Sequence, residues 1–261
     1  MRYIARICIS VTAILTGGAV AAAEDSGLTV VPALDFGFKN SSLEISANGG
    51  PYTSVYKPNY ITLIPSLSMA YGRFYGALSY DTPLTEYHTS SGGNQAAPSY
   101  SDNTYSREET TLTLGYRLLP ALNVFGGYIS GETKMRSIDY QYVGTVWQPS
   151  PGDNSFDTKG YFAGVSTSHS FGDKGTLSLS AAYAIMDGTL VGNYGNVSGT
   201  IKSDDASGYS TGLSWTGPMG ESVFYRVGFR YARYSYKFQT QVSLKIQEPV
   251  QGLTFGVSKY F

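Results

Sequence analysis

The sequence has little of what catalysis and cross-linking usually require. It contains one cysteine, Cys8, and two histidines, and only 14% of its residues are charged. A single cysteine excludes a disulfide framework within the chain. Lysine and arginine number 18 against 19 aspartate and glutamate, a formal net charge of -1. This near balance argues against nucleic acid as a partner.

Long apolar runs are confined to the beginning of the chain. Two arginines precede an apolar stretch over residues 7–20, and three small residues then end at Ala23. This order predicts a signal peptide over residues 1–23 and a mature chain from Glu24, so Cys8 would leave with the signal. No run of eighteen apolar residues follows, which excludes spanning α-helices in the mature chain.

Glycine and aromatic residues are abundant, with 31 Gly, 23 Tyr and 12 Phe. Apolar residues alternate with small or polar residues along much of the chain: Leu34 and Phe36, for example, flank Asp35. A period of two predicts strands with one oily face. Pro65 lacks the N–H that a ladder needs, so a bulge is expected near it. The predicted strands cover residues 28–39, 60–71, 73–82, 107–118, 122–130, 158–169, 176–186, 207–215, 222–233 and 250–261.

Short and long connections alternate between these ten segments. Short turn-like connections lie near residues 72, 119–121, 171–175 and 216–220. The long polar connections cover residues 40–59, 83–106, 131–157, 187–206 and 234–249. Short turns on one side and long loops on the other are typical of outer-membrane barrels, whose strands are even in number. Ten strands fit best, and eight or twelve remain alternatives.

The last segment carries a family resemblance. Phe255, Gly256, Val257 and Phe261 fit the carboxy-terminal assembly signal of outer-membrane proteins, whereas Lys259 stands where an aromatic is usual. The chain thus resembles small Gram-negative outer-membrane β-barrel proteins, opacity-protein-like or porin-like. The resemblance implies one all-β domain over residues 24–261, a transmembrane antiparallel up-and-down β-barrel. It also implies a monomer in the outer membrane, in contact with lipid, lipopolysaccharide and the outer-membrane assembly machinery. A soluble sandwich is the alternative fold, since its strands alternate too.

Charges should point into the lumen, because Arg or Lys at the bilayer midplane costs about 2–4 kcal/mol on the lipid face. Such charges predict either a narrow, weakly anion-preferring pore or an internal ion-pair network that fills a closed barrel. Aromatic residues at strand ends should form girdles at both interfaces. The predicted lumen charges are Asp35, Lys39, Asp81, Arg107, Glu109, Arg117, Arg226 and Arg230.

The outer rim and loops offer two further hypotheses. Lys159, Arg233 and Lys237 fall in outward register above the outer girdle, at the height of lipopolysaccharide phosphates. They are either a lipopolysaccharide contact or solvated rim charges. The loops are rich in tyrosine, which suits either an adhesin-like recognition surface or plain hairpin extensions. The loop tyrosines are Tyr52, Tyr56, Tyr87, Tyr100, Tyr105, Tyr140, Tyr142 and Tyr194.

The two histidines do not predict an enzyme. His169 lies in a serine-rich stretch beside the short connection at Gly172, the wrong end for an outer-membrane hydrolase. His88 has no catalytic motif around it. We therefore expect a non-catalytic structural or surface protein without metal or cofactor, with an outer-membrane hydrolase as the least favoured alternative.

Overall fold

The computed structural model describes residues 27–47, 50, 53–92, 99–143, 146–194, 197–239 and 243–261. The predicted signal peptide over residues 1–23 lies outside this range. Within it, no helix is both long and apolar enough to cross a bilayer.

The described residues form fourteen β-strands and one short 3-10 turn at Gly172–Lys174, and all strand pairs are antiparallel. The strands are β1 (Thr29–Ser41), β2 (Leu43–Ala47), β3 (Thr53–Tyr56), β4 (Asn59–Tyr71), β5 (Phe74–Pro83), β6 (Tyr87–Gly92), β7 (Ser99–Leu119), β8 (Leu122–Val143), β9 (Val146–Ser170), β10 (Thr176–Tyr194), β11 (Val197–Lys202), β12 (Asp205–Pro218), β13 (Val223–Gln239) and β14 (Ser243–Lys259).

Ten of these strands close into a barrel. Their order is β1-β4-β5-β7-β8-β9-β10-β12-β13-β14, and β14 returns to pair with β1. At this seam Phe36 lies opposite Phe255 and Asp35 opposite Gly256. A closed sheet leaves no unpaired edge, as a lipid environment demands. The prediction of an antiparallel ten-stranded barrel is confirmed, and each predicted segment corresponds to one strand of the ring.

The strands extend well beyond the predicted bounds on the long-connection side. β8 runs to Val143 and β9 begins at Val146, although the sequence predicted a long loop over residues 131–157. The other four strands lie on the same side: β6 pairs with β7, β11 with β10, and β2 with both β14 and β3. Polar residues continue the ladders there because pairing satisfies backbone groups regardless of side chain. The hairpin alternative was therefore the better interpretation of these connections.

The expected bulge at Pro65 is absent. Thr62 pairs with Pro83 and Ser66 with Ser79, so the register between β4 and β5 is the same on both sides of the proline. On the other side, Pro65 pairs in register with Leu34 of β1. The missing N–H thus interrupts pairing locally with β5 and does not shift it, and the exposed ring faces outward.

The two faces of the sheet differ as the alternation predicts. Leu34, Phe36 and Phe38 are exposed on the outer face, whereas Asp35 between them is fully buried. Aromatic residues ring both ends of the barrel: Tyr209 and Tyr231, for example, have ring centroids 6.2 Å apart at the long-hairpin end. The outer girdle comprises Phe38, Tyr80, Tyr161, Tyr209 and Tyr231, and the short-turn girdle Tyr71, Phe74, Tyr116, Trp215 and Phe261.

Candidate functional site: the charged lumen

The structure places all eight predicted lumen charges on the inner face of the ring. Six are buried, and Lys39 and Arg230 are nearly so. Strand alternation positions them: six follow an outward apolar or aromatic residue on their strand, whereas Arg107 follows Ser106 and Glu109 follows Glu108. The lumen is therefore lined by both signs of charge, and the pairing among them decides whether it is open.

One ion pair crosses the full width of the barrel. β7 and β13 are five strands apart in the ring, whichever way it is followed. Arg230 on β13 nevertheless reaches Glu109 on β7, with 3.2 Å between Nη1 and Oε1. Side chains from opposite walls thus meet across the lumen.

Arg107 joins this pair to a third strand. Its Nη1 donates to Glu248 Oε1 on β14 at 2.6 Å and to Thr133 Oγ1 at 2.9 Å, while its Nη2 lies 3.3 Å from Glu109 Oε2. Arg107, Glu109, Arg230 and Glu248 together are called the charge layer below. Such a buried network is stable only when each charge keeps its partner.

Two further ion pairs lie between strands that are second neighbours in the ring. Lys39 on β1 pairs with Asp81 on β5. Arg226 on β13 pairs with Asp35 on β1, across the intervening β14. Asp35 is fully buried and packs over Gly256, where an added Cβ would lie 1.7 Å from its Oδ1. The glycine of the carboxy-terminal motif thus makes room for a lumen carboxylate.

Glu248 is the lumen residue that sequence reasoning missed. The prediction started the last strand at residue 250 and assigned residues 234–249 to a long polar connection. β14 in fact begins at Ser243 and runs through Pro249, which pairs with Arg233. The inward register of Gly252 extends to Glu248, so continuing the alternation past Pro249 was the signal that could have found it.

Beyond the charge layer, toward the long hairpins, the lumen is packed with large apolar and aromatic side chains. Phe156 and Tyr236 are fully buried, with ring centroids 4.8 Å apart and planes at 88°. Tyr105, predicted to be one of the loop tyrosines, instead lies on β7, points inward and is 3% exposed, which corrects that assignment. The group called the upper plug comprises Tyr60, Tyr105, Phe156, Tyr234, Tyr236, Phe238 and Ile246.

On the short-turn side of the charge layer, the inward residues are mainly small. Serine, threonine, alanine and glycine alternate into the lumen from most strands, among a few rings such as Tyr75 and Phe125. Several of the buried hydroxyl oxygens, including those of Ser214 and Ser258, have no hydrogen-bond partner among the described residues. Arg117 lies in this region.

The three rim cations face outward beyond the outer girdle, in different surroundings. Lys237 pairs with Asp205 at 2.7 Å, and the hydrogen bond it donates raises the pKa of its amino group. Arg233 donates to the neutral Gln247 and so keeps its net charge. Lys159 is exposed and lies opposite Asp187 in the register of β9 and β10.

A row of carboxylates lies beside Lys159 on the outer face. Glu108, Glu132 and Asp157 are directly opposite one another on β7, β8 and β9. Partial burial raises the pKa of the Asp157 carboxyl, and the neighbouring Glu132 raises it further. This part of the rim is thus acidic, which leaves Arg233 as the least compensated of the three predicted cations.

The histidines lie at opposite ends of the barrel. His169 is exposed at the short-turn end, with its ring centroid 4.8 Å from that of Phe171. His88 is exposed on β6, and its Nδ1 is 3.3 Å from Thr104 Oγ1. Among the described residues, no three His, Cys, Asp or Glu side chains are grouped as metal ligands.

Comparison with known proteins bears on the fold alone. No family model and no curated protein matches the chain. Among solved structures, outer membrane protease OmpT from Escherichia coli matches with a TM-score of 0.66 and 10% identity over 92% of this chain and all of that one. Neisserial surface protein A has 13% identity over 90% of this chain and 99% of that one, but a TM-score of only 0.36.

The attachment invasion locus protein Ail of Yersinia pestis also matches with a TM-score of 0.36, at 10% identity over 89% of this chain and 99% of that one. With both of these TM-scores below 0.5, the likeness to OmpT is the informative one, and at 10% identity it concerns architecture and not proteolysis. The closed ten-stranded ring, its apolar outer face and this likeness together show the fold of a Gram-negative outer-membrane β-barrel.

Proposed function

We propose that the protein is a non-catalytic structural and surface protein of the outer membrane whose lumen is closed. The observation that carries this proposal is the pair between Arg230 and Glu109, which joins opposite walls of the ring at 3.2 Å. The upper plug then fills the lumen beyond it. A ten-stranded ring is only slightly wider than one that its own side chains fill. Anchoring the chain in the membrane and presenting its hairpins at the surface require no solute path through the lumen.

A narrow, weakly anion-preferring pore is the second candidate, supported by the charges that line the lumen. Single-channel recording of refolded protein in planar bilayers separates the two functions. We expect no discrete conductance steps from the wild type, with a general porin as the positive control. Steps whose ion preference changes in Arg230→Glu, but not in the surface control Arg136→Glu, would establish the pore and overturn the closed barrel.

Two other roles have less support. A surface adhesin predicts that trimming residues 83–106 abolishes binding to host cells or matrix, yet the side chain of Tyr105 in that range is buried. An outer-membrane hydrolase predicts an activity that is sensitive to His88→Ala or His169→Ala. The separation of these histidines to opposite ends of the barrel gives no basis for joint catalysis.

We also propose that the rim binds lipopolysaccharide, principally through Arg233. Its guanidinium faces outward just beyond Tyr231 and pairs with no carboxylate among the described residues, so a phosphate can accept its donors. Replacing Arg233 and Lys159 by alanine should leave assembly intact and lower the lipopolysaccharide that copurifies. Lys202→Ala, an exposed cation on β11, is the control. If the variant copurifies with as much lipopolysaccharide as the wild type, the proposed contact is wrong.

The remaining proposals concern partners and assembly. Phe255 and Val257 present exposed apolar side chains on the last strand, in line with Phe261 at the chain end. Together with Gly256 they are the residues we propose the assembly machinery recognises. The protein is proposed to act as a monomer, since its ring closes within one chain.

A further inference from the structure

Arg117 is the lumen cation without a carboxylate partner. The described inward charges are five cations and four carboxylates, counting Glu248. Lys39, Arg107, Arg226 and Arg230 each pair with at least one of those carboxylates. No ion pair within the described ranges includes Arg117, so the single uncompensated positive charge of the lumen resides on it.

The guanidinium of Arg117 is buried, and two of its three nitrogens lack a described hydrogen-bond partner. The residue is 7% exposed, and its Nε and Nη2 atoms are buried without any hydrogen-bond partner among the described residues. Arginine cannot escape this situation by losing its proton. An uncompensated buried charge is strongly unfavourable, so binding of a counter-ion to Arg117 would be stabilising.

The two unpartnered nitrogens lie on the same edge of the guanidinium. Nε–H and the adjacent N–H of Nη2 point in parallel, which is the geometry that matches two oxygens of one carboxylate or phosphate. The three paired lumen arginines, Arg107, Arg226 and Arg230, use their terminal nitrogens on protein carboxylates. In Arg117 the bidentate edge has no partner among the described residues.

Asn123 and Arg73 are the neighbours of Arg117 that the described contacts show. Asn123 lies directly opposite Arg117 in the ladder of β7 and β8, and its Nδ2 donates to Ser166 Oγ at 3.4 Å. The Arg117 backbone N–H donates to the carbonyl of Arg73, which brings a second cation to the same end of the barrel. The Asn123 amide has a second N–H besides the one that Ser166 accepts, whereas its buried Oδ1 has no partner among the described residues.

The position of Arg117 fixes the side from which a ligand arrives. It lies two residues before the end of β7, next to a short connection, which is the periplasmic end of such barrels. The charge layer and the upper plug separate it from the long hairpins. We propose that Arg117, assisted by Asn123, forms a periplasm-facing binding site for a small oxyanion, either a phosphate or a carboxylate. This site does not depend on whether the barrel conducts.

Isothermal titration of refolded full-length mature protein in a maltoside detergent, free of phosphate groups, tests the site. Inorganic phosphate and sodium acetate are the probes in separate arms, at constant pH and ionic strength. We expect saturable binding of one anion per chain in at least one arm, and the arm identifies the class. Arg117→Gln should weaken that binding at least tenfold, whereas Arg136→Gln, the same change on the outer surface, should alter it less than twofold.

Folding is checked by the shift in gel mobility between boiled and unboiled samples. Should Arg117→Gln fail to fold, Arg117→Lys retains the charge without the two-pronged edge and should bind at least threefold more weakly than wild type. Absence of saturable binding by folded wild type in both arms overturns the site. Equal binding by wild type and either folded Arg117 variant overturns it as well, because the anion would then bind elsewhere.

Discussion

The two ends of the lumen are built in different ways. Toward the long hairpins the upper plug and the charge layer fill the space with rings and paired charges, and Phe156 and Tyr236 expose nothing to solvent. Toward the short turns small hydroxyl residues predominate. Buried polar atoms without a described partner occur at both ends, for example Ser214 Oγ below and the Tyr236 hydroxyl above. Stability should therefore depend mainly on the packed rings and ion pairs of the upper end. The lower end has smaller side chains and the one lumen cation, Arg117, without a carboxylate partner among the described residues. The substitutions below test this difference.

The largest effect is expected at Arg107. Its replacement by alanine leaves Glu248, which is 1% exposed, without its closest cation. Breaking a buried ion pair from one side costs about 3–5 kcal/mol. Guanidinium unfolding in micelles, followed by tryptophan fluorescence, measures the loss. Arg136→Ala removes an exposed pair, and exposed pairs are worth about 1 kcal/mol or less. Similar losses for the two variants would mean that the charge layer is solvated.

Phe156→Ala tests the upper plug itself. The ring is fully buried against Tyr236, so its removal leaves a cavity that its neighbours can only partly fill. Such truncations cost about 3 kcal/mol or more. The same unfolding assay applies, with Tyr161→Ala on the exposed outer face as the control. A loss below that of the control would show that the plug is loosely packed.

Gly256→Ala should have an intermediate effect. The added methyl group would collide with Asp35 Oδ1 and approach the Leu34 carbonyl at 2.8 Å, which disturbs the pair between Asp35 and Arg226. Overpacking of this kind costs about 1–3 kcal/mol. Gly199→Ala, where a Cβ meets nothing within 4 Å, provides the matched substitution. Equal stability of the two variants would contradict the packing of Asp35 over the last strand.

The smallest effect is expected at Ser214 in the lower lumen. Its buried hydroxyl has no partner among the described residues, so Ser214→Ala removes a polar group that gains nothing from burial. The change in unfolding free energy should stay within about 0.5 kcal/mol, or be slightly stabilising. A loss above 1 kcal/mol would indicate a partner such as a bound water, and would weaken the distinction between the two ends.

The ring of strands was predictable from the sequence because strand alternation and turn signals depend only on residues close together in the chain. Alternation assigns Asp35 inward and Phe36 outward without knowledge of any neighbour, and the pattern of short connections orders the strands. The extent of the strands was underestimated where polar residues continue the ladders, as in β8 and β9. Glu248 was missed for the same reason, because it fell within the predicted polar connection over residues 234–249.

The ion pairs that the lumen charges form could not be predicted from the sequence. Glu109 and Arg230 are 121 residues apart, and their contact depends on the width and stagger of the closed ring. Alternation gives the direction in which each side chain points but not the height at which opposite walls meet. The same limit applies to Arg117, whose lack of a partner becomes visible only when all the other charges have been paired.

The pair between Arg226 and Asp35 has a consequence for how the chain completes its fold. It bridges the first strand of the ring and the penultimate one, over the strand between them. Neither residue can reach the other until the two ends of the chain have come together. The pair thus stabilises the closed barrel relative to an open sheet. In the open sheet the free edge strands could pair with a neighbouring chain and cause aggregation.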